Sequence, residues 1–212
     1  MARLCLVLSL SLLLGIALAA TPPALAQAAK SKPSAAPATG ERLVLPVPKG
    51  WKSITDETRQ QGQVRVSIKE MVPDGQSAEK WQDRISASSW HGLSRQPLQT
   101  SFDMIKSVVD ENCEKPAYGK EHEGMERGYP TGLQLIVCAK TKRGNYGEAF
   151  IYKTINGKDD LYQIQISWRL PAAQDPDHVA LTKQMVDEGT RYLKTVYVCD
   201  TRDPQHPCPK GK

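Results

Sequence analysis

Residues 131–170 read TGLQLIVCAKTKRGNYGEAFIYKTINGKDDLYQIQISWRL, and this stretch decides the fold. It predicts three consecutive strands joined by two tight turns. In the last strand Tyr162, Ile164, Ile166, Trp168 and Leu170 share one face, while Gln163, Gln165, Ser167 and Arg169 share the other. That period of two belongs to an antiparallel strand with one dry and one wet face. Asn156-Gly157, between two apolar runs, predicts a two-residue hairpin turn, because both residues accept positive φ angles. Gly144 to Gly147 supplies the other turn. On the preceding strand, Phe150, Tyr152 and Thr154 lie opposite Ala149, Ile151 and Ile155, which predicts cover on both faces.

Upstream of this meander, Leu43 and Leu45 alternate with Val44 before Pro46 and Pro48 restrict the segment to an edge strand. Gly50-Trp51 reads as a turn. Val64, Val66 and Ile68 alternate with polar neighbours in a second strand, which Val72-Pro73-Asp74-Gly75 closes. Ser77 is placed to cap a helix reaching about Leu93, with Trp81, Ile85 and Ser88 at helical spacing. A second helix is expected from Thr100 or Ser101 to about Cys113, its inner stripe formed by Phe102, Ile105, Val109 and Cys113. Residues 117–126 are polar and at most strand-like. The last helix is expected over about Pro176 to Lys194, with an extended Val196-Tyr197-Val198 after it. The expected fold is therefore α+β: an antiparallel sheet of about six strands with helices packed on it, in the order β-β-α-α-β-β-β-β-α.

The chain opens with Arg3, an apolar run from Leu4 to about Leu18, and Ala24-Leu25-Ala26. This is the layout of a secretory signal peptide over residues 1–26, cut after Ala26; a cut after Ala19 or Ala20 is the alternative. An uncleaved anchor fits less well. The run is shorter than the roughly 20 apolar residues that span a bilayer, and Pro22-Pro23 closes it. Residues 27–40, rich in Ala, Pro and Ser, form a flexible linker. The folded domain is expected over 41–198, with a cysteine-closed tail over 199–212. Expected localisation is periplasmic or secreted, with no transmembrane segment in the mature chain.

Of five cysteines, Cys5 leaves with the signal peptide, and Cys113, Cys138, Cys199 and Cys208 remain. An even count behind an export signal points to two disulfides. Of the three possible pairings, Cys113 with Cys138 and Cys199 with Cys208 is favoured, because the second pair closes a short Pro-rich loop. Loop closure puts them at about 3.5 and about 2.7 kcal/mol.

A net charge of +5 is mild and spread along the chain. With only Lys140, Lys142 and Arg143 tightly clustered, at a hairpin tip, nucleic acid is not an expected partner. No glycine-rich phosphate loop follows a strand, so no cofactor is expected. Cys199, Asp203, His206 and Cys208 lack the spacing of a zinc site, and no metal is expected. The four histidines, His91, His122, His178 and His206, belong to no ligand motif. Ser88-Ser89-Trp90-His91 brings serines near a histidine but without an orienting acid, and no catalytic residue is assigned. A hydrolase would need a concave pocket holding at least two of His91, His122, His178 and the acids within hydrogen-bond reach. Trp51, Trp81, Trp90, Tyr146 and Tyr152 cannot all sit in one core, so Trp51 and Trp90, with Lys140, Lys142 and Arg143, mark a candidate binding surface.

The series LPVPKGW, a strand, VPDGQSAEKW opening a helix, a second helix, a meander and a final helix resembles the uncharacterised exported proteins of Gram-negative bacteria whose fold is similar to the PsbP/Mog1-like group. The resemblance covers about Leu43 to Tyr197. It implies a central antiparallel sheet flanked by helices and an accessory or binding role, and it transfers no site residue. The expected function is an exported, non-catalytic accessory or binding protein of the cell envelope, with an envelope protein or ligand as partner. An envelope hydrolase and a peripheral binder of anionic lipid or polysaccharide are the alternatives.

Overall fold

The computed structural model describes residues 40–209. The expected signal peptide, residues 27–39 of the linker and residues 210–212 lie outside them. The described chain is mixed α+β and runs β1 (Glu41–Val44), β2 (Trp51–Gln61), β3 (Val64–Pro73), β4 (Asp83–His91), α1 (Leu98–Asn112), β5 (Pro116–Tyr118), β6 (His122–Glu126), β7 (Tyr129–Cys138), β8 (Tyr146–Asn156) and β9 (Asp160–Pro171). A 3-10 turn (Pro176–His178), α2 (Lys183–Leu193) and β10 (Tyr197–Asp200) complete it. An eight-stranded sheet has the order β2-β3-β4-β9-β8-β7-β5, with β6 also on β7; β1 and β10 form a separate two-stranded sheet. Every pair is antiparallel.

The meander β7-β8-β9 is present, with its faces as the alternation predicts. Ile85, Ala87, Ile151, Ile164, Ile166 and Trp168 face α2 in one core. Phe102, Val109, Ile136, Phe150 and Tyr152 form a second core under α1. The sheet is thus sandwiched, and β8 is buried on both faces. The polar face of β9 is not fully wet: Ser167 is buried, and Gln163 and Gln165 are half-buried.

Several expectations are corrected. Residues 77–93 form no helix: Ser77 Oγ accepts from the Lys80 N–H at 3.2 Å, but that turn is not continued and β4 follows. Ile85, Ala87 and Ser89 alternate with Arg84, Ser86 and Ser88, and β3 and β9 offer a ladder on both sides. Tertiary pairing overrides the helical spacing. The expected turn at Gly50-Trp51 is present, with the Trp51 N–H donating to the Pro48 carbonyl at 3.1 Å, and Trp51 then begins an unexpected strand, β2. With β2, β4 and both β5 and β6 in it and β1 outside it, the main sheet has eight strands, not about six. The β8-β9 connection is longer than two residues, and neither Asn156 nor Gly157 takes a positive φ. The Glu41 carboxylate holds that loop, accepting from the Lys158 N–H at 2.6 Å and the Asp159 N–H at 3.0 Å. The last helix starts later than Pro176. Thr182 caps it, its hydroxyl accepting from the Met185 N–H at 3.2 Å.

Two features seat α2. At Gly189 a Cβ would lie 2.8 Å from Trp168 Cη2, so the helix reaches the sheet only because that position lacks a side chain. At its C-terminus the buried Lys153 ammonium donates to the carbonyls of Leu193 (2.8 Å) and Val196 (2.7 Å) and pairs with Glu126 (2.5 Å). A cation there satisfies terminal carbonyls and suits the helix dipole. Burial pulls the Lys153 ammonium below the usual lysine range, and Glu126 opposes the shift.

Cys113 is bonded to Cys138, tying the end of α1 to β7, and Cys199 is bonded to Cys208. Two disulfides point to a protein outside the cytosol. No helix among the described residues is long and apolar enough to cross a membrane.

Candidate functional site

On the α1 side, the helix packs over β7 and β8 and leaves β3, β4 and β9 unroofed beyond its flank. A groove of about 720 Å³ runs there, with Met104, Ile105 and Val108 of α1 as an apolar wall. Its floor follows from register. Glu70 pairs with Ser86, Ile68 with Ser88 and Val66 with Trp90; Ser86 pairs with Gln165 and Ser88 with Gln163. Neighbours in register share a face, so hydroxyls, amides and one carboxylate are gathered along the floor.

At one end the polar groups satisfy one another. Ser101 Oγ lies 2.6 Å from the Tyr152 hydroxyl and 2.9 Å from Thr154 Oγ1, and accepts from Gln163 Nε2 at 3.1 Å. Gln163 Oε1 accepts from the Trp90 indole at 2.8 Å. Burial pushes the Tyr152 phenol up to about 12. This network fixes Trp90 and the start of α1.

At the other end the groove joins a cavity of about 230 Å³ that reaches the Cys113–Cys138 bridge, Thr141 and Glu148; Arg84, Ile105, Val108 and Gln165 line both spaces. The Arg84 guanidinium stacks on the Trp81 ring at 4.2 Å. Arg169 stacks on the same ring at 4.4 Å and on Tyr146 at 4.3 Å. Glu70 and Glu148 flank Arg84 at 3.6 and 3.7 Å, too far for hydrogen bonds. Buried Arg84 Nε and Thr141 Oγ1 have no partner among the described residues. Glu70 accepts instead from Thr55 (3.0 Å) and Ser86 (3.1 Å). Burial raises the Glu148 carboxyl above the usual carboxylate range, against the pull of Arg84.

A second constellation lies on the opposite face. His91 Nε2 is 2.7 Å from Ser67 Oγ, His91 Nδ1 is 2.8 Å from Asp160 Oδ2, and Asp160 Oδ1 accepts from the Gly92 N–H at 3.0 Å. Three adjacent strands thus align a hydroxyl, an imidazole and a carboxylate as acyl-transfer enzymes do. Ser67 lies within β3, between β2 and β4, where backbone N–H groups serve the ladder and leave none to hold an oxyanion. The groove and its side cavity do not reach these residues.

The expected site residues do not assemble. Trp90 lines the groove, whereas Trp51 packs into the core on the α2 face. Lys140 pairs with Glu114 at 3.0 Å, Lys142 donates to the Asp110 carbonyl at 2.8 Å, and Arg143 is exposed in the β7-β8 connection. Trp81 and Tyr152 are buried. His122 is exposed on β6, His178 meets Asp175 in the open 3-10 turn, and His206 meets Asp203 in the tail. Arg84, Glu70, Glu148 and Gln165 are missed by sequence reading, as are Ser67 and Asp160. Only Arg84 lies on β4, whose polar alternation is hidden while that segment is read as a helix; the others lie on β3, β8 and β9 and meet through strand register.

No protein-family model matches this chain, and no curated protein matches it. Among solved structures, the 1.9 Å crystal structure of the Saccharomyces cerevisiae Ran-binding protein Mog1p shows weak similarity. The TM-score is 0.38 at 14% identity, over 73% of this chain and 84% of that one.

Proposed function

We propose that this chain is an exported, non-catalytic binding module of the bacterial cell envelope, periplasmic or secreted after signal-peptide removal, whose ligand occupies the groove beside α1. The observation that carries the reading is the groove itself: an apolar helical wall over a floor that mixes hydroxyls and amides with Val66 and Ile68, at about 720 Å³ larger than the cavity of about 250 Å³ beside the end of α2. Membership of the exported Gram-negative group similar to PsbP/Mog1-like proteins is part of the proposal. It rests on LPVPKGW and the meander, the helix expected after VPDGQSAEKW being replaced by β4. The test is co-purification of the tagged mature protein from envelope extract, alongside a Val108→Arg variant that fills the groove from its exposed wall. Recovery lost in the variant supports the reading; identical recovery from both proteins, or none from either, refutes it.

A hydrolase reading has one observation in its favour, the Ser67–His91–Asp160 chain. Neither the groove nor its side cavity reaches those residues, and the β3 ladder takes the neighbouring backbone N–H groups, which is why this reading stands second. Labelling of Ser67 by a fluorophosphonate, abolished by His91→Ala, would reverse that order. The third reading, a peripheral binder of anionic lipid, is weakened because Lys140 and Lys142 are engaged within the protein. It predicts liposome sedimentation that falls with salt.

A further inference from the structure

Arg84 is unusual within the groove. It is held flat on Trp81, flanked by two carboxylates without hydrogen-bonding either, at the junction of the groove and the side cavity. Among the described residues its buried Nε has no hydrogen-bond partner, and Thr141 Oγ1 in the same cavity has none. Buried polar groups are ordinarily paired, so these atoms are positioned for a partner the protein does not supply.

We propose that Arg84, Glu148, Gln165 and Thr141 form a subsite for one ring of a neutral, polyhydroxylated ligand, a sugar unit of a glycan that continues along the groove. The proposal rests on the binding-module reading and gives its ligand a chemical class. Charge selects first. When Glu148 is ionised, the Arg84 and Arg169 guanidiniums on Trp81 are balanced by Glu70 and Glu148, so the two signs nearly cancel and neither an anion nor a cation is favoured. An apolar ligand would seal off the buried Arg84 Nε and Thr141 Oγ1 without giving them a partner, which is costly.

A hydroxyl satisfies both partner types, donating to a carboxylate while accepting from a guanidinium. Neighbouring hydroxyls on one ring can therefore bridge Arg84 and Glu148, and the C–H face of the ring meets Ile105, Val108 and Phe150. An extended peptide fits less well. The floor strands β3, β4 and β9 are interior to the sheet, so no strand can be added to them. The side cavity also ends at the disulfide, suiting a compact ring over a chain passing through.

The experiment is calorimetric titration of the mature protein with four probes. These are a β-1,4-linked N-acetylglucosamine tetramer, cellotetraose, a galacturonate tetramer of equal length, and an uncharged tetrapeptide. A neutral sugar tetramer should bind at least tenfold more tightly than the galacturonate. Arg84→Gln should weaken that binding at least tenfold, and Arg143→Gln at the hairpin tip should leave it unchanged. Gln165→Ala, which leaves the Trp81 stack intact, should weaken binding severalfold and covers the case in which Arg84→Gln fails to fold. Preference for the galacturonate, or indifference to both groove substitutions, overturns the subsite. So does binding of the peptide alone, which leaves the binding-module reading standing. That reading falls separately if Val108→Arg leaves envelope co-purification unchanged.

Discussion

The two faces of the eight-stranded sheet share their strands and differ in how they are closed. On one, α2 lies on Ile85, Ile151, Ile164, Ile166 and Trp168, and its free end is clamped by a buried lysine. On the other, α1 covers only the β7-β8 side and leaves a polar floor beside it. The difference lies in which residues alternate into view. β9 presents Ile164 and Ile166 to α2 but Gln163 and Gln165 to the groove, and β4 presents Ile85 and Ala87 against Ser86 and Ser88. The first set gains stability by excluding water, and in the second Ser86, Ser88 and Gln163 are held in hydrogen bonds along an open floor.

Substitution on each face is the most direct way to break this comparison. Ile85→Ala on the closed face should cost about 4 kcal/mol through lost burial and a cavity. Val108→Ser, at an exposed position on the groove wall, should stay within about 0.5 kcal/mol. Urea midpoints for the two proteins would test it, and equal losses would mean that the faces are not energetically distinct.

The disulfides sharpen it next. Loop length makes Cys113–Cys138, beneath the groove, worth about 3.5 kcal/mol, and Cys199–Cys208 about 2.7 kcal/mol. Double alanine variants should lose stability in that order on thermal melting.

Lys153→Met should cost about 3 kcal/mol, because Glu126 and two carbonyls lose their shared donor. Hydrogen exchange should rise first at the end of α2, and uniform exchange across the sheet would contradict the clamp.

The smallest expected effect is on the groove side. Burial raises the Glu148 carboxyl, so its contribution to stability is fully present below the ordinary glutamate value, about 4.3. It is lost as pH rises through the raised value. Glu148→Gln should therefore raise the melting temperature at pH 7 and change it little at pH 4. A variant destabilised at both would show that Glu148 is a structural ion-pair partner.

The meander was legible in the sequence because Tyr162, Ile164, Ile166 and Trp168 alternate without a break. Strand β2, WKSITDETRQQ, was not. It is a mostly exposed edge strand with little apolar patterning, and its pairing to β3 supplies what the sequence lacks. Strand β4 reads as a helix because Trp81 and Ile85, four apart, fit a period of two and a helical turn alike, and only the flanking strands β3 and β9 decide between them. The site was hidden with it. Glu70, Arg84, Glu148 and Gln165 come from four strands, and their meeting is a property of register that no local pattern carries. Ser67 and Asp160 meet His91 for the same reason.

The small β1-β10 ladder has a mechanical consequence. Glu41 pairs with Asp200, and Gly40 N–H donates to Thr201 Oγ1 at 2.7 Å, so the start of the described chain is bonded to the end of its last strand. Tension applied between those two points is borne by a four-residue seam before it loads the main sheet. A permutant joined at that seam and reopened at the exposed Gly62 bend should keep its shape.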